Sequence, residues 1–301
     1  MELVFGTAQL GTDYGIQNNG KPSVENAEKL LDAAVVCGIH LFDTAAGYGN
    51  AEVILGNYLE RRGLRDSAKV ITKLNPDVLH NTSIERYETV LKSHIERSIK
   101  RLRTDSLGGV LFHNAEYVFC ADAIKALIHM KCLGIVSRVG VSVYTPEQAV
   151  EALRYDGLDM IQVPYNVLDR RLDQNSFFKE AKDRGIMVLA RSSLLQGLLT
   201  MPLRQFPSYM SFAKPYVAQF QAMCKELSLL PLEGAVGFAA AHPYIDYLVF
   251  GSDSVKQLEE YVRAAQKGMA PDIYEFFDSK FQEIPERVVM PNLWREGGGI
   301  A

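Results

Sequence analysis

The sequence predicts a (β/α)8 barrel that carries an additional helix and a tail at its C-terminal end. Eight short runs of apolar and β-branched residues recur along the chain, each followed by a longer stretch of helical period. The runs are almost continuously hydrophobic, as strands of a parallel sheet covered by helices are. The 301 residues contain no Gly/Pro/Ser-rich linker and no shift of composition, so one barrel domain over residues 1–301 is expected rather than two doubly wound domains.

The predicted strands are Leu3–Gly6, Ile39–Phe42, Val70–Thr72, Gly109–Phe112, Ser137–Ser142, Met160–Val163, Met187–Ala190 and Tyr247–Phe250. Between the first two, Ser23 stands where it would N-cap a helix with the apolar face Ala27, Leu30, Leu31 and Ala34, and Gly38 ends it. Thr82-x-x-Glu85, Thr145-Pro146-Glu147-Gln148 and Ser254-x-x-Gln257 each match a capping box and mark three further helix starts. Ile84, Tyr87, Leu91 and Ile95 supply the apolar stripe of the helix after the third strand. The stretch from Leu203 to Pro243 holds Pro207, Pro215 and Pro231 and is expected to contain a long loop before its helices. Ile273–Phe281 reads as the extra helix, and the tail carries the sole tryptophan, Trp294.

A composition of 48% hydrophobic and 23% charged residues excludes disordered, collagenous and small disulfide-stapled classes. With 32 basic against 36 acidic residues, the net charge of −4 offers no ground for a nucleic-acid or polyanionic partner. Cys37, Cys120, Cys132 and Cys224 are isolated, so buried thiols in a reducing cytosol are expected rather than disulfides or a metal site. The first residues lack a basic segment followed by an apolar one, and no apolar stretch approaches 18 residues; a cytoplasmic protein without a membrane span is expected.

Several familiar patterns fail on inspection. Gly15–Lys21 imitates a phosphate-cradling loop until Pro22 stands where the magnesium-binding hydroxyl belongs, so a surface turn is the better reading. Gly47–Glu52 lacks the third glycine of a dinucleotide fingerprint, Gly140-Val141-Ser142-Val143 breaks the nucleophile elbow, and no histidine pair has metal-ligand spacing.

What remains lies at strand ends, where a (β/α) barrel places its chemistry. The second, third and fourth runs end on Asp43, Lys73 and His113, and Tyr48 follows five residues after Asp43. For a phenol to act as a general acid at neutral pH, this reading asks for acidification worth roughly 2.7 kcal/mol. An ammonium about 4 Å away offers roughly 4 kcal/mol at an effective dielectric near 20, so Lys73 suffices, and Asp43 keeps that lysine charged. His113 is suited to donate a hydrogen bond to a carbonyl oxygen beside the Tyr48 hydroxyl. These four groups protonate a developing oxyanion, which is half of a carbonyl reduction. No side chain supplies hydride, so a nicotinamide is required.

The stretch Phe42-Asp43-Thr44-Ala45-Ala46-Gly47-Tyr48-Gly49-Asn50-Ala51-Glu52, with Thr72-Lys73 and Phe112-His113 after it, resembles the aldo-keto reductase family over nearly the whole chain. The resemblance implies a (β/α)8 barrel that binds NAD(P)H in extended form, reduces an aldehyde or ketone or oxidises the matching alcohol, and is a monomer. It implies Gly6, Thr7 and Ala8 beside the nicotinamide and Ser142 and Gln162 at its carboxamide. Ser192, Leu194, Gln196 and Gly197 fall at its pyrophosphate, and Gly251, Ser252, Ser254, Gln257 and Glu260 at its adenosine end.

There are departures. Val143 replaces a usual Asn, and Tyr261 another. Arg191 stands in place of an aromatic that stacks on the nicotinamide, where its guanidinium would stack or bind an anionic substrate. Gly251–Tyr261 offers only Lys256 as a cation and includes Asp253, so NADP(H) is expected by family habit while NAD(H) stays open. The substrate mouth is drawn from Tyr14, Tyr48, His113, Tyr165, Arg191 and Trp294. A cofactor-binding regulatory subunit with little turnover, resembling potassium-channel β subunits, stands as an alternative, and so does Schiff-base chemistry on Lys73.

Overall fold

The computed structural model describes residues 1–16 and 20–294; Gln17, Asn18 and Asn19 of the predicted Gly15–Lys21 turn, and the tail after Trp294, lie outside the described residues. Eight strands, β1 (Glu2–Gly6), β2 (Leu41–Asp43), β3 (Lys69–Lys73), β4 (Gly109–Phe112), β5 (Val139–Ser142), β6 (Met160–Pro164), β7 (Met187–Arg191) and β8 (Tyr247–Phe250), pair in parallel in chain order. The barrel closes where β8 meets β1, with Glu2 opposite Tyr247 and Phe5 opposite Phe250. Every predicted strand is present, and β2 and β5 begin two residues later than expected.

Around the barrel lie α1 (Ala8–Gly11), α2 (Val24–Val36), α3 (Ala51–Arg61), α4 (Tyr87–Leu102), α5 (Ala121–Cys132), α6 (Pro146–Leu153), α7 (Phe177–Asp183), α8 (Lys214–Glu226), α9 (Pro231–Ala241) and α10 (Val255–Lys267). Beyond them come α11 (Pro271–Asp278), which is the predicted extra helix, and α12 (Glu286–Val289). Ser23 caps α2 through the Asn26 amide, and Ala27, Leu30, Leu31 and Ala34 are buried as the spacing requires. The Thr145–Gln148 capping box forms at α6. The Thr82 box does not. The Thr82 hydroxyl donates to the His80 carbonyl, a single 3-10 turn over Ile84–Arg86 intervenes, and α4 starts only at Tyr87. Ile84 is therefore exposed, whereas Leu91 and Ile95 are buried. Among the cysteines only Cys224 is buried; Cys37 and Cys120 are half-buried and Cys132 is exposed, which corrects the expectation of four buried thiols.

The interior of the barrel is a plug of Val4, Ile71, Leu111, Met160, Leu189 and Val249, with Leu41 against it. Fully burying such a side chain contributes about 1.5–3 kcal/mol. Because side chains alternate across a strand, the residue two positions further along also faces inward, one layer nearer the C-terminal mouth. That step leads from Val4 to Gly6, Leu41 to Asp43, Ile71 to Lys73, Leu111 to His113, Met160 to Gln162, Leu189 to Arg191 and Val249 to Gly251. An apolar layer thus carries a polar one, and strand register fixes where each polar side chain emerges.

Candidate active site

At the centre of the polar layer the Lys73 ammonium donates to Asp43 Oδ2 at 2.5 Å, and both side chains are almost completely buried. Gln162 Nε2 donates to the other carboxylate oxygen at 2.8 Å, so β2, β3 and β6 converge on Asp43. Thr7 holds the same residue from below, its amide and hydroxyl both donating to the Asp43 carbonyl at 2.9 and 3.1 Å.

Tyr48 sits on the loop after β2, and the Lys73 ammonium lies 5.3 Å from its ring centroid. The His113 ring meets it edge-on, centroids 5.5 Å apart. The four predicted residues are therefore brought together. Two glycines that strand-end reasoning passed over seat Tyr48: a Cβ at Gly11 would stand 1.9 Å from the Tyr48 carbonyl, and one at Gly49, whose φ is +54°, 2.3 Å from the Gly11 carbonyl. Backbones touch at this crossing, so no side chain fits.

Burial, and after it the Asp43 carboxylate, pushes the Tyr48 phenol above its usual value. This corrects the expected acidification, because the ammonium meant to supply it is already neutralised by Asp43 and the desolvation of a phenolate acts the other way. Burial, together with the Lys73 and Arg191 cations, lowers His113 from 6.5 to about 3, so its imidazole is neutral. Its Nδ1 has no hydrogen-bond partner among the described residues.

From Asp43 and Tyr48 a cavity of about 430 Å³ extends between the loops after β7 and β8. Of the predicted cofactor residues, Gly6, Ala8, Gln162, Arg191, Ser192, Leu194, Gln196, Gly197, Gly251, Ser252, Gln257 and Glu260 line it. Three do not. Thr7 is spent on Asp43, Ser142 is buried at the end of β5, and Ser254 caps α10 by accepting from the Gln257 amide at 3.3 Å. Asp253, expected among the ribose contacts, lines the cavity too, and Gln9, Tyr14, Ser193, Thr200, Met201, Pro202 and Leu232 were not predicted as cofactor contacts yet also line it. Apart from Leu232, in the first turn of α9, they sit in loops and short helical turns whose course no periodicity announces. Tyr14 is pushed up to about 12 by burial, and burial also raises Asp253.

The wall after β7 is shaped by backbone: Ser192, Leu195 and Gln196 adopt φ of +64°, +49° and +53°, left-handed values that non-glycine residues rarely take. Tyr261 stacks flat on Phe250 at 3.9 Å and its hydroxyl meets Ser193 Oγ at 2.7 Å, which ties α10 to that wall. Of the residues predicted at the mouth, Tyr14, Tyr48 and Arg191 line the cavity, His113 packs against Tyr48 without lining it, and two are elsewhere. Tyr165 is fully buried against Phe178 and Phe238, and Trp294 is buried with its indole N–H donated to the Val288 carbonyl at 3.2 Å.

Arg191 reaches back from β7 to the end of β5. Its guanidinium donates to the Val143 carbonyl at 3.0 Å and to Ser192 Oγ at 3.2 Å, and lies over the Tyr144 ring at 4.5 Å.

The family model described as "Aldo/keto reductase family" matches residues 2–280, and the chain belongs to this family of oxidoreductases that act on carbonyl compounds and use nicotinamide cofactors. It is 27% identical to the aldo-keto reductase YhdN of Bacillus subtilis, over 85% of this chain and 80% of that protein. It is 32% identical to an NADH-specific methylglyoxal reductase of Escherichia coli, over 54% of this chain and 55% of that protein. The holo form of aldo-keto reductase AKR11C1 from Bacillus halodurans has the same fold, with a TM-score of 0.78, 21% identity and 95% of each chain covered. No helix among the described residues is long and apolar enough to cross a membrane.

Proposed function

We propose that the protein reduces an aldehyde or ketone, or oxidises the matching alcohol, with hydride from a nicotinamide and a proton from Tyr48. The observation that carries this reading is the convergence of Asp43, Tyr48, Lys73 and His113, with Asp43 and Tyr48 lining the inner end of one cavity and Lys73 and His113 packed against them. The cavity suits an elongated cofactor. Gly6 and Gly251 present no side chain of their own at the barrel mouth between β1 and β8, where the Gln9 amide lies over Gly251, and Gln162, Ser192, Gln196, Gly197, Ser252 and Gln257 offer polar groups along the walls.

When bound, a reduced nicotinamide supplies hydride to the carbonyl carbon. The protein's part is the oxygen. Tyr48, kept protonated by its surroundings, donates a hydrogen bond to that oxygen, and neutral His113 donates a second. An alkoxide is a stronger base than a phenolate, so the proton moves as the charge develops, and a phenol acidified in the resting site is not required. Asp43 holds Lys73 beside the Tyr48 ring, where the ammonium stabilises the phenolate left behind. An amine so paired and buried is a poor Schiff-base nucleophile.

Asp253 and Glu260 line the β8 side of the cavity; Lys256, 3.9 Å from Glu260, is exposed and is not among the lining residues. Carboxylates accept hydrogen bonds from a ribose diol and repel a 2′-phosphate, which favours NAD(H) over NADP(H). The test is NADH or NADPH consumption with a panel of carbonyl compounds. Tyr48→Phe should lower kcat by about 10²–10⁴-fold while leaving cofactor affinity intact. Unchanged turnover in that variant removes Tyr48 from the mechanism, and tight cofactor binding without turnover on any substrate points to the regulatory subunit instead.

A further inference from the structure

Among the described residues that line the cavity, Arg191 is the sole lysine or arginine, and no carboxylate of the described residues comes within ion-pair distance of it. Two of the five guanidinium N–H groups are engaged, by Val143 and Ser192, and the Tyr144 ring fixes the plane. A half-buried cation without a counterion is unfavourable unless something anionic completes it.

The guanidinium spans from Ser192, at the start of the loop after β7, to the Val143 carbonyl at the end of β5, and its field reaches Tyr14, Tyr48 and His113. Nearby, Asp43 and Lys73 cancel each other at 2.5 Å. The inner end of the cavity therefore carries one uncompensated positive charge beside the phenol. An oxyanion is the complementary group, and it has two sources, the substrate or the cofactor's pyrophosphate. The reach to the end of β5 favours the substrate.

We infer that Arg191 is a specificity-determining residue that binds the carboxylate of an oxo acid, so that the substrate is a carbonyl compound bearing a carboxylate close to the reacting carbon. The assignment rests on the reductase reading above. A planar fork held by a stacked ring and a backbone carbonyl is suited to bidentate recognition of a carboxylate.

The test compares oxo acids of increasing chain length, each against its methyl ester, as substrates of the wild-type protein, with NADH affinity measured separately by quenching of protein fluorescence. At the optimal spacing kcat/KM should favour the acid by about 10- to 100-fold, the range of a charge-assisted pair. Arg191→Gln should bring the acid-to-ester ratio close to one, and Arg191→Lys should keep part of it. Turnover of esters without preference for any acid overturns the assignment and leaves the reductase reading standing. Failure of every acid and ester alike overturns both. If Arg191→Gln weakens NADH binding while the acid-to-ester ratio persists, the guanidinium serves the pyrophosphate and the assignment is wrong.

Discussion

The two ends of the cavity are built by different physics. At the inner end Asp43, Lys73, Gln162 and Arg191 stand on strands, each one alternation step above an apolar residue of the plug, and their places follow from register. At the outer end Ser192, Leu195 and Gln196 turn through left-handed backbone, and Ser252 to Gln257 fold into the cap of a helix. A strand side chain can be aimed only by shifting a whole ladder, whereas a loop can be reshaped residue by residue. The groups that orient the chemistry sit on the first, with Tyr48 held on its loop by the Gly11–Gly49 crossing, and contacts that can be varied sit on the second.

The sharpest way to test that contrast is to break one ion pair at each end. Lys73→Met leaves the Asp43 carboxylate buried with only Gln162 and no cation, and should lower the unfolding free energy by about 3–5 kcal/mol. At the outer end Lys256 and Glu260 are 3.9 Å apart and Lys256 is exposed, so Lys256→Met should cost less than about 0.5 kcal/mol. Denaturant midpoints of the two variants measure both. Comparable losses would mean that the inner pair is not the anchor its geometry suggests.

Protonation offers a second contrast. His113 is neutral in the fold and titrates near 3, but near 6.5 once unfolded. Above 6.5 both states are neutral and the residue has no effect. As pH falls toward 3 the unfolded chain takes up a proton that the folded one refuses, so stability is lost over that window. The loss should reach about 2 kcal/mol by pH 5, and His113→Asn should flatten it. For the same reason His113 should add no inflection to kcat/KM between pH 5 and 8. An inflection there that disappears in His113→Asn would show that the imidazole is charged in the working enzyme.

The inner end was legible because periodicity and strand termini carry position. Eight apolar runs located the barrel, and the residue after three of them located Asp43, Lys73 and His113. What one sequence could not supply was the energy of the assembled group. Counting the Lys73 charge alone predicted an acidic Tyr48, whereas desolvation and Asp43 act together to raise it. The outer end was less legible. Gln9, Tyr14 and Thr200 carry no spacing signal, and Ser142 and Thr7 lie at strand ends yet face inward to neighbours rather than to the cavity. Tyr165 and Trp294 show the opposite failure, since a residue type suited to a substrate mouth is equally suited to a core.

Ser254 gives the most discriminating effect. One residue type satisfied two expectations, a helix cap and a cofactor contact, and a single hydroxyl cannot fully serve both. Its Oγ accepts the Gln257 amide while its carbonyl accepts the Ser252 hydroxyl at 2.7 Å, and Gln257 reaches back to the Asp253 amide at 3.0 Å rather than to that of Ser254. The local geometry is thus closed upon itself, and Ser252 and Gln257, unlike Ser254, line the cavity. Ser254→Ala should cost about 1 kcal/mol of stability, the usual loss of a cap. Ser254→Asp, which keeps a capping oxygen, should restore it, with NADH affinity unmoved by more than about twofold in the alanine variant. A tenfold weaker NADH complex at unchanged stability would reverse the assignment and return Ser254 to the cofactor.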